Sequence, residues 1–309
     1  MTAVPAPGSA PAESASTRPP ARRPLARRPV PPAVRRRKLL MTVANHSVAI
    51  ALSIAFLLPF VFILATALMT NQQTLSPHIW PHPFAWSNFR TVFHSFPFLR
   101  YTLNTVTYAG LATVGVLLSC TPVAYALSRL QWRGRQVALI LVLSTLMLPP
   151  QVTVVPLYVI FVRLHWIGSL KPLIVPLFFG DAFTIFLLRQ FFLTIPQELS
   201  DAARVDGASE FQILTRVIVP LAKPALAAVA LFQFLYSWND FFNPLLYAGS
   251  NPNSWTLAVA LQQFTALSRG VLWNLQMAAS LLFVLPVIII FFFAQKVFVE
   301  GITLTGVKG

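Results

Sequence analysis

SVAIALSIAFLLPFVFILATALM, residues 47–69, carries no charged side chain, and only Ser, Thr and Pro break its apolar run. A helix rises about 1.5 Å per residue, so this stretch covers a hydrocarbon core about 30 Å thick. It has no polar face to turn toward water, which makes lipid its natural solvent. Blocks of the same kind recur at about 102–124, 137–159, 171–193, 224–246 and 273–295. The pattern predicts an all-α integral membrane protein with six transmembrane helices.

Composition agrees. Hydrophobic residues make up 56% of the chain and charged ones 10%, against roughly 25% charged in an ordinary soluble domain, which excludes a water-soluble globule. Pro59, Pro122, Pro149, Pro150, Pro176 and Pro286 fall inside the apolar blocks. Each removes a backbone donor, but membrane helices tolerate this where neighbours satisfy the freed carbonyl. Cys120 is alone inside an apolar block, and it is expected to pack as a small hydrophobe.

The net charge of +15 raises the question of nucleic acid, and its location answers it. Arg18, Arg22, Arg23, Arg27, Arg28, Arg35, Arg36, Arg37 and Lys38 crowd a Pro- and Ala-rich segment, residues 1–38, that has almost no large apolar side chain. Such a segment cannot bury enough surface to offset its ordering entropy, so it is expected to be a disordered basic tail. A tail beside a membrane span reads as a cytoplasmic topology signal, with attraction to anionic lipid second and no nucleic-acid partner expected. With the tail inside, the inner connections also hold Arg129, Arg133, Arg135, Arg189, Arg204, Arg216, Lys223, Lys296 and Lys308, 18 basic residues in all. The outer ones hold 5: Arg90, Arg100, Arg163, Lys171 and Arg269. This asymmetry sets both termini in the cytoplasm of a multi-pass cell-membrane protein. The first helix is too long for a signal peptide and is expected to remain. Trp80, Trp86, Trp166 and Trp255 fall in outer connections and suit the headgroup boundary. The resulting organisation is a tail (1–38), a first span with its outer loop (39–97), a five-helix domain (98–295) and a C-terminal tail (296–309).

The longest inner connection, 194–223, reads as two short helices. Thr194 can cap the first, Pro196 and Glu198 suit its first turn, and Gly207 can take the left-handed conformation that stops it. Ser209 and Gln212 have capping-box spacing for a second helix running to about Val219, with Phe211, Leu214 and Ile218 as its apolar face. Ala202 and Ala203 leave one side of the first helix smooth. Periodicity alone leaves two readings open, a compact docking knob or an amphipathic linker on the membrane.

The residues of this loop resemble a known pattern. Asp201-Ala202-Ala203, then Asp206-Gly207-Ala208, Pro220-Leu221 and Pro224 are similar to the Glu-Ala-Ala loop of binding-protein-dependent ABC importer permeases. Asp201 departs from the family's usual Glu, keeping the charge with a shorter reach. Trp238-Asn239-Asp240-Phe241 with Pro244, and Phe298 to Gly309 with Gly301, Thr305-Gly306 and Lys308-Gly309, resemble the carbohydrate branch, in particular the shorter permease of maltose-type systems. The resemblance covers roughly residues 40–309. It implies the type I importer fold, a second permease subunit, two ATPase subunits and an extracytoplasmic solute-binding protein that delivers a sugar. It also implies that Glu198, Asp201, Ala202, Ala203, Asp206 and Gly207 couple the permease to the ATPase. No G-x-x-x-x-G-K-[ST] loop occurs in the chain, so no cofactor is expected on it, and the resemblance puts ATP and Mg on the partner.

Asp181 lies about ten residues into span four and Asp240 about seven before the outer end of span five, both deep in the membrane. A carboxylate in hydrocarbon costs roughly 2.5–3.5 kcal/mol even on the lenient insertion scale, so both should face a bundle interior or an aqueous cavity. With Trp238, Asn239 and Asn243 they are candidates for a translocation pathway, since carboxylates and amides bond to hydroxyls and aromatic faces stack on sugar rings. Interhelical bonding is the other reading of the same residues. His46, His78, His82, His94 and His165 lack metal-ligand spacing, and no nucleophile motif occurs. Open alternatives are an importer for another polar solute, such as a glycerol phosphate or an amino-sugar, and a membrane-embedded enzyme.

Overall fold

The computed structural model describes residues 32–77, 79–95, 97–267 and 272–306. Among these residues there is no strand. The principal helices are α1 (Pro32–Ala67), α2 (Ser87–Ser95), α3 (Phe98–Ser128), α4 (Arg135–Thr145), α5 (Pro150–Arg163), α6 (Ala182–Thr194), α7 (Gln197–Val205), α8 (Glu210–Leu221), α9 (Lys223–Asn239), α10 (Phe242–Ala248), α11 (Leu257–Leu267) and α12 (Trp273–Gly306). Residues 1–57 form one unit and residues 58–309 another.

Within the first unit α1 begins at Pro32, so positions 35–38, assigned above to the tail, lie in helix. Residues 1–31 lie outside the described residues, as do Arg269 and Lys308. Leu52, Ile54 and Phe56 of α1 are exposed, as expected of a helix whose solvent is lipid.

Four helical stretches are long and apolar enough to cross a membrane, Leu40–Ala67, Phe98–Ser128, Lys171–Thr194 and Trp273–Phe293, and two bent pairs bring the number to six if each pair is one span. The first pair is α4 with α5, bent by 93° after Thr145, where Pro149 and Pro150 begin the second helix without needing backbone donors. The second is α8 with α9, bent by 79°. Pro59, Pro122 and Pro286 are carried inside continuous helices.

In the second unit, α3 forms the axis. One core cluster joins its residues Val116, Cys120 and Ala124 to Leu188 and Phe192 of α6 and to Ile213 and Ile218 of α8. Another joins Phe98 and Tyr101 to Leu257 and Ala260 of α11 and to Ala278 and Ala279 of α12. Helix α11 was not foreseen, being too short to read as a span. Trp80 and Trp86 are exposed, whereas Trp166 stacks on Phe161 with ring centroids 5.8 Å apart and Trp255 donates from Nε1 to the Gly249 carbonyl at 2.9 Å.

Both deep carboxylates mark interruptions of the helices. The segment before α6 is helical at Lys171–Ile174 and 3-10 at Val175–Phe179, and then Gly180 takes φ +111°, which a side chain disfavours. Asp181 follows as the N-cap of α6, its Oδ2 accepting from the Thr184 N–H at 2.7 Å. In the other interruption, α9 ends at Asn239, Asp240 is extended, and α10 begins at Phe242. Pro244 falls in the first turn of α10, where its missing N–H has no helical partner to lose.

Candidate functional site

The loop 194–223 folds as a two-helix knob. Helix α7 starts after Pro196, which has no side-chain cap bond, and Thr194 donates instead to the Phe191 carbonyl at 2.7 Å. The expected Thr194 cap is therefore corrected: its hydroxyl closes the end of α6. At the far end Gly207 takes φ +81°, its N–H reaching the Arg204 carbonyl and the Ala208 N–H the Ala203 carbonyl, both at 3.0 Å. This 6→1 and 5→2 pair satisfies carbonyls that α7 would otherwise leave open. Ser209 and Gln212 form the expected capping box. Helix α8 then runs through Pro220 to Leu221, beyond the expected end, because a π-helical turn at Leu214–Ile218 widens the ladder before the proline.

Glu198, Asp201, Ala202, Asp206 and Gly207 are exposed, while Ala203 packs against the core. The two alanines thus face different ways. Of the apolar face expected on α8, Leu214 and Ile218 are buried, but Phe211 is 74% exposed, and Val205 at the end of α7 is 88% exposed. Asp201 accepts from Arg204 Nη1 at 2.6 Å, and Arg204 Nε donates to Glu210 Oε1 at 2.7 Å. The Glu210 carboxylate beside it raises the Arg204 pKa above its ordinary value, keeping the pair charged.

This ion-paired knob is tied to α3. Tyr125 Oη donates to Glu210 Oε2 at 2.5 Å. Arg129, 5% exposed just past the end of α3, donates from Nη1 to Gln197 Oε1 at 2.8 Å and from Nη2 to the Phe192 and Ile195 carbonyls. The Phe192 carbonyl also accepts from the Ile195 N–H at 3.2 Å, and a cation on the carbonyls at the C-terminal end of α6 is favoured by the helix dipole as well as by hydrogen bonding.

The second assembly lies around the interruptions. A cavity of about 410 Å³ between α6 and α9 is lined by Asp181, Thr184, Phe183, Phe232, Gln233 and Tyr236, with Leu177, Leu187 and Val229 behind them. Asp240 Oδ2 accepts from Tyr108 Oη of α3 at 2.9 Å and from Asn243 Nδ2 at 3.0 Å, and its Oδ1 accepts from the Asn243 N–H at 3.2 Å. Asn239 is exposed and donates to the Leu235 carbonyl. Trp238 is 1% exposed, bonded through Nε1 to the Phe283 carbonyl at 3.2 Å and packed on Phe234 and Phe283. Of the five residues named from sequence for the pathway, Asp181 alone lines this cavity, and Asp240 with Asn243 joins α10 to α3. Helix α3 also holds the other interruption, since the Ser119 hydroxyl shares its proton between the Gly115 carbonyl at 2.8 Å and the Leu177 carbonyl at 3.0 Å, and the Asp181 N–H points at Cys120 Sγ, 3.2 Å away.

Residues 113–304 match the family described as binding-protein-dependent transport system inner membrane component. The chain belongs to that family. The permease is 33% identical over 263 residues to the arabinooligosaccharides transport system permease protein AraQ of Bacillus subtilis, covering 84% of this chain and 92% of that one. It is 32% identical over 271 residues to the sn-glycerol-3-phosphate transport system permease protein UgpE of Pectobacterium atrosepticum, covering 85% and 96%. A crystal structure of a bacterial ABC transporter that imports the acidic polysaccharide alginate superposes with a TM-score of 0.75 at 25% identity, over 84% of this chain and 97% of that chain. The permease is thus a multi-pass cell-membrane protein with the ABC importer permease fold, and the family is one of transport subunits. Among its described residues no three His, Cys, Asp or Glu side chains gather as metal ligands would.

Sequence reading missed Tyr125, Arg129 and Glu210 as one cluster because they are far apart along the chain, and it missed Tyr236 because an aromatic residue in an apolar helix carries no signal of its own. The capping box, by contrast, was legible and is separately testable. Ser209→Ala in the permease should lower stability by about 1 kcal/mol while leaving the knob's exposed face intact. Thermal denaturation of the purified complex should show a small downward shift with coupled transport retained, and an unchanged midpoint would mean that the cap contributes nothing.

Proposed function

We propose that the permease is a membrane-spanning subunit of an ATP-driven importer that carries a sugar delivered by an extracytoplasmic solute-binding protein. In this reading the chain crosses the membrane six times with both termini in the cytoplasm. A second permease completes the pathway, and two ATPase subunits hold ATP and Mg. The observation that carries the reading is the α7–α8 knob, which presents Val205, Asp206 and Phe211 outward while its polar side chains grip α3. A docking surface that is exposed at its tip and rigid at its base transmits displacement, whereas a linker on the membrane would need neither property. The relatives support the choice of sugar, since AraQ is a permease for arabinooligosaccharides.

The mechanism follows from the bonds. ATP-driven closure of the ATPase pair moves the knob. Glu210 and Gln197 pull on Tyr125 and Arg129, and α3 carries the displacement to both interruptions, through Tyr108 to Asp240 and through Ser119 and Cys120 to the segment before α6. The cavity beside Asp181 then changes the side to which it opens. Only a surface that binds the two ATPase states differently can bias this equilibrium, which assigns Glu198, Asp201, Ala202, Asp206 and Gly207 to state-dependent contact. Reporters fused after Lys38, Arg133, Gly207 and Gly309 should lie inside, and those after Ser87, Gly168 and Ser254 outside. An outside location for the Gly207 reporter would end both the topology and the coupling mechanism.

A further inference from the structure

The fold alone does not decide the charge of the solute, because the relatives include a glycerol-3-phosphate permease and an importer of an acidic polysaccharide. The side chains at the cavity bear on it directly. Helix α6 begins at this cavity, and a helix N-terminus attracts anions through its open N–H groups and its dipole. Transporters with interrupted helices hold anionic substrate groups on such ends. Here a carboxylate of the chain already occupies that place, for Asp181 takes the Thr184 N–H. Among the described residues no Lys or Arg lines the cavity, and neither Asp181 nor Asp240 has an ion-pair partner. The remaining wall suits a polyhydroxy ring: Phe183, Phe232 and Tyr236 present aromatic surface, and Gln233, whose Nε2 bonds to Ser237 Oγ, keeps its amide oxygen as an acceptor.

We propose that this wall selects against anions, so that the solute is an uncharged or amine-bearing saccharide rather than a phosphate or a uronate. The inference rests on the sugar-importer reading above. Two like unit charges about 5 Å apart at an effective dielectric constant near 20 disfavour each other by a factor on the order of a hundred. An anionic solute beside Asp181 meets that penalty, while a hydroxyl or an ammonium donates to the carboxylate oxygen that the cap leaves open.

The test uses the complete importer with Gln233→Cys, labelled by two methanethiosulfonates of similar size, one with a trimethylammonium group and one with a sulfonate. The chain with native Gln233, whose Cys120 is fully buried, gives the background rate. Because the attacking species is a thiolate anion, the rates are divided by those of a free thiol in solution, and on that scale the cationic reagent should be favoured at least about tenfold over the anionic one. Asp181→Asn keeps an N-cap and removes the charge, so it should bring the normalised ratio to near one or below, and Asp181→Ser should do the same. A normalised ratio of one with Asp181 in place, a ratio unmoved by both neutral variants, or no reaction with either reagent would each overturn the proposal. Those outcomes are distinguishable from failure of the importer reading, which is judged separately by whether the assembled importer accumulates a saccharide in an ATP-dependent way.

Discussion

Gly207→Val should abolish coupled transport while leaving the permease in the membrane. At φ +81° an added Cβ would meet nothing within 4 Å, so the substitution acts through the backbone and not through a clash. A left-handed residue with a side chain costs about 1–2 kcal/mol, and a β-branched one is a worse fit still. The chain relieves that strain by opening the turn, which separates the Ala208 N–H from the Ala203 carbonyl and swings α7 away from α8. Because the site is exposed and adds nothing to the core, membrane abundance should stay near normal. Uptake and substrate-stimulated ATPase activity should fall together, by about tenfold or more. Gly207→Asn should be mild, since Asn tolerates this conformation. Asp201→Lys should resemble Gly207→Val, placing a cation against Arg204 and removing a carboxylate from the docking face, whereas Asp201→Glu should be nearly silent. Uptake and ATPase activity in reconstituted vesicles, with co-purification of the ATPase as the assembly check, decide the matter. Full coupling in both Gly207→Val and Asp201→Lys would reduce the knob to a linker.

Arg129→Ala should damage both stability and coupling. The guanidinium is buried and serves Gln197 and the Phe192 and Ile195 carbonyls at once. Its loss leaves the Ile195 carbonyl without that donor, at about 1–3 kcal/mol where no water replaces the bond, while the Phe192 carbonyl keeps the Ile195 N–H and the exposed Gln197 turns to water, and it opens a void at the junction of α3, α6 and α7. The purified complex should denature at a lower temperature and turn over more ATP per solute moved. Arg129→Lys should recover part of each effect, because an ammonium can reach one acceptor but cannot span the fork. An Arg129→Ala complex with the native midpoint and the native ATP-to-solute ratio would show that this junction transmits nothing.

Much of this molecule could be read from its sequence, and the failures have physical causes. Apolar blocks placed the long helices because length and hydropathy are properties of contiguous residues. The capping box at Ser209 and the left-handed Gly207 were legible for the same reason, since turns are written in local chemistry. What escaped is non-local. Arg129 counted only as a charge on the inner side, yet its burial at the end of α6 depends on residues more than sixty positions away. Phe211 has the spacing of a core residue and points outward because Leu214 and Ile218 already fill the core. Trp238 was a reasonable sugar-stacking candidate by residue type, but Phe283 of α12, remote in sequence, claims its ring and its N–H. Asp181 and Asp240 were singled out as costly charges in a membrane. Asp240 makes the interhelical bond, to Tyr108 of α3, and takes the Asn243 N–H, while Asp181 caps α6 and lines a cavity.

The most direct test of the central claim is solute accumulation in vesicles reconstituted with the permease, its partner permease, the ATPase subunits and the binding protein. ATP should be supplied on the side of the α7–α8 knob and a radiolabelled neutral oligosaccharide, bound to the binding protein, on the other. Accumulation against the gradient should require ATP and binding protein together and should be lost with Gly207→Val. Equal accumulation without ATP, or undiminished accumulation with Gly207→Val, would contradict that claim.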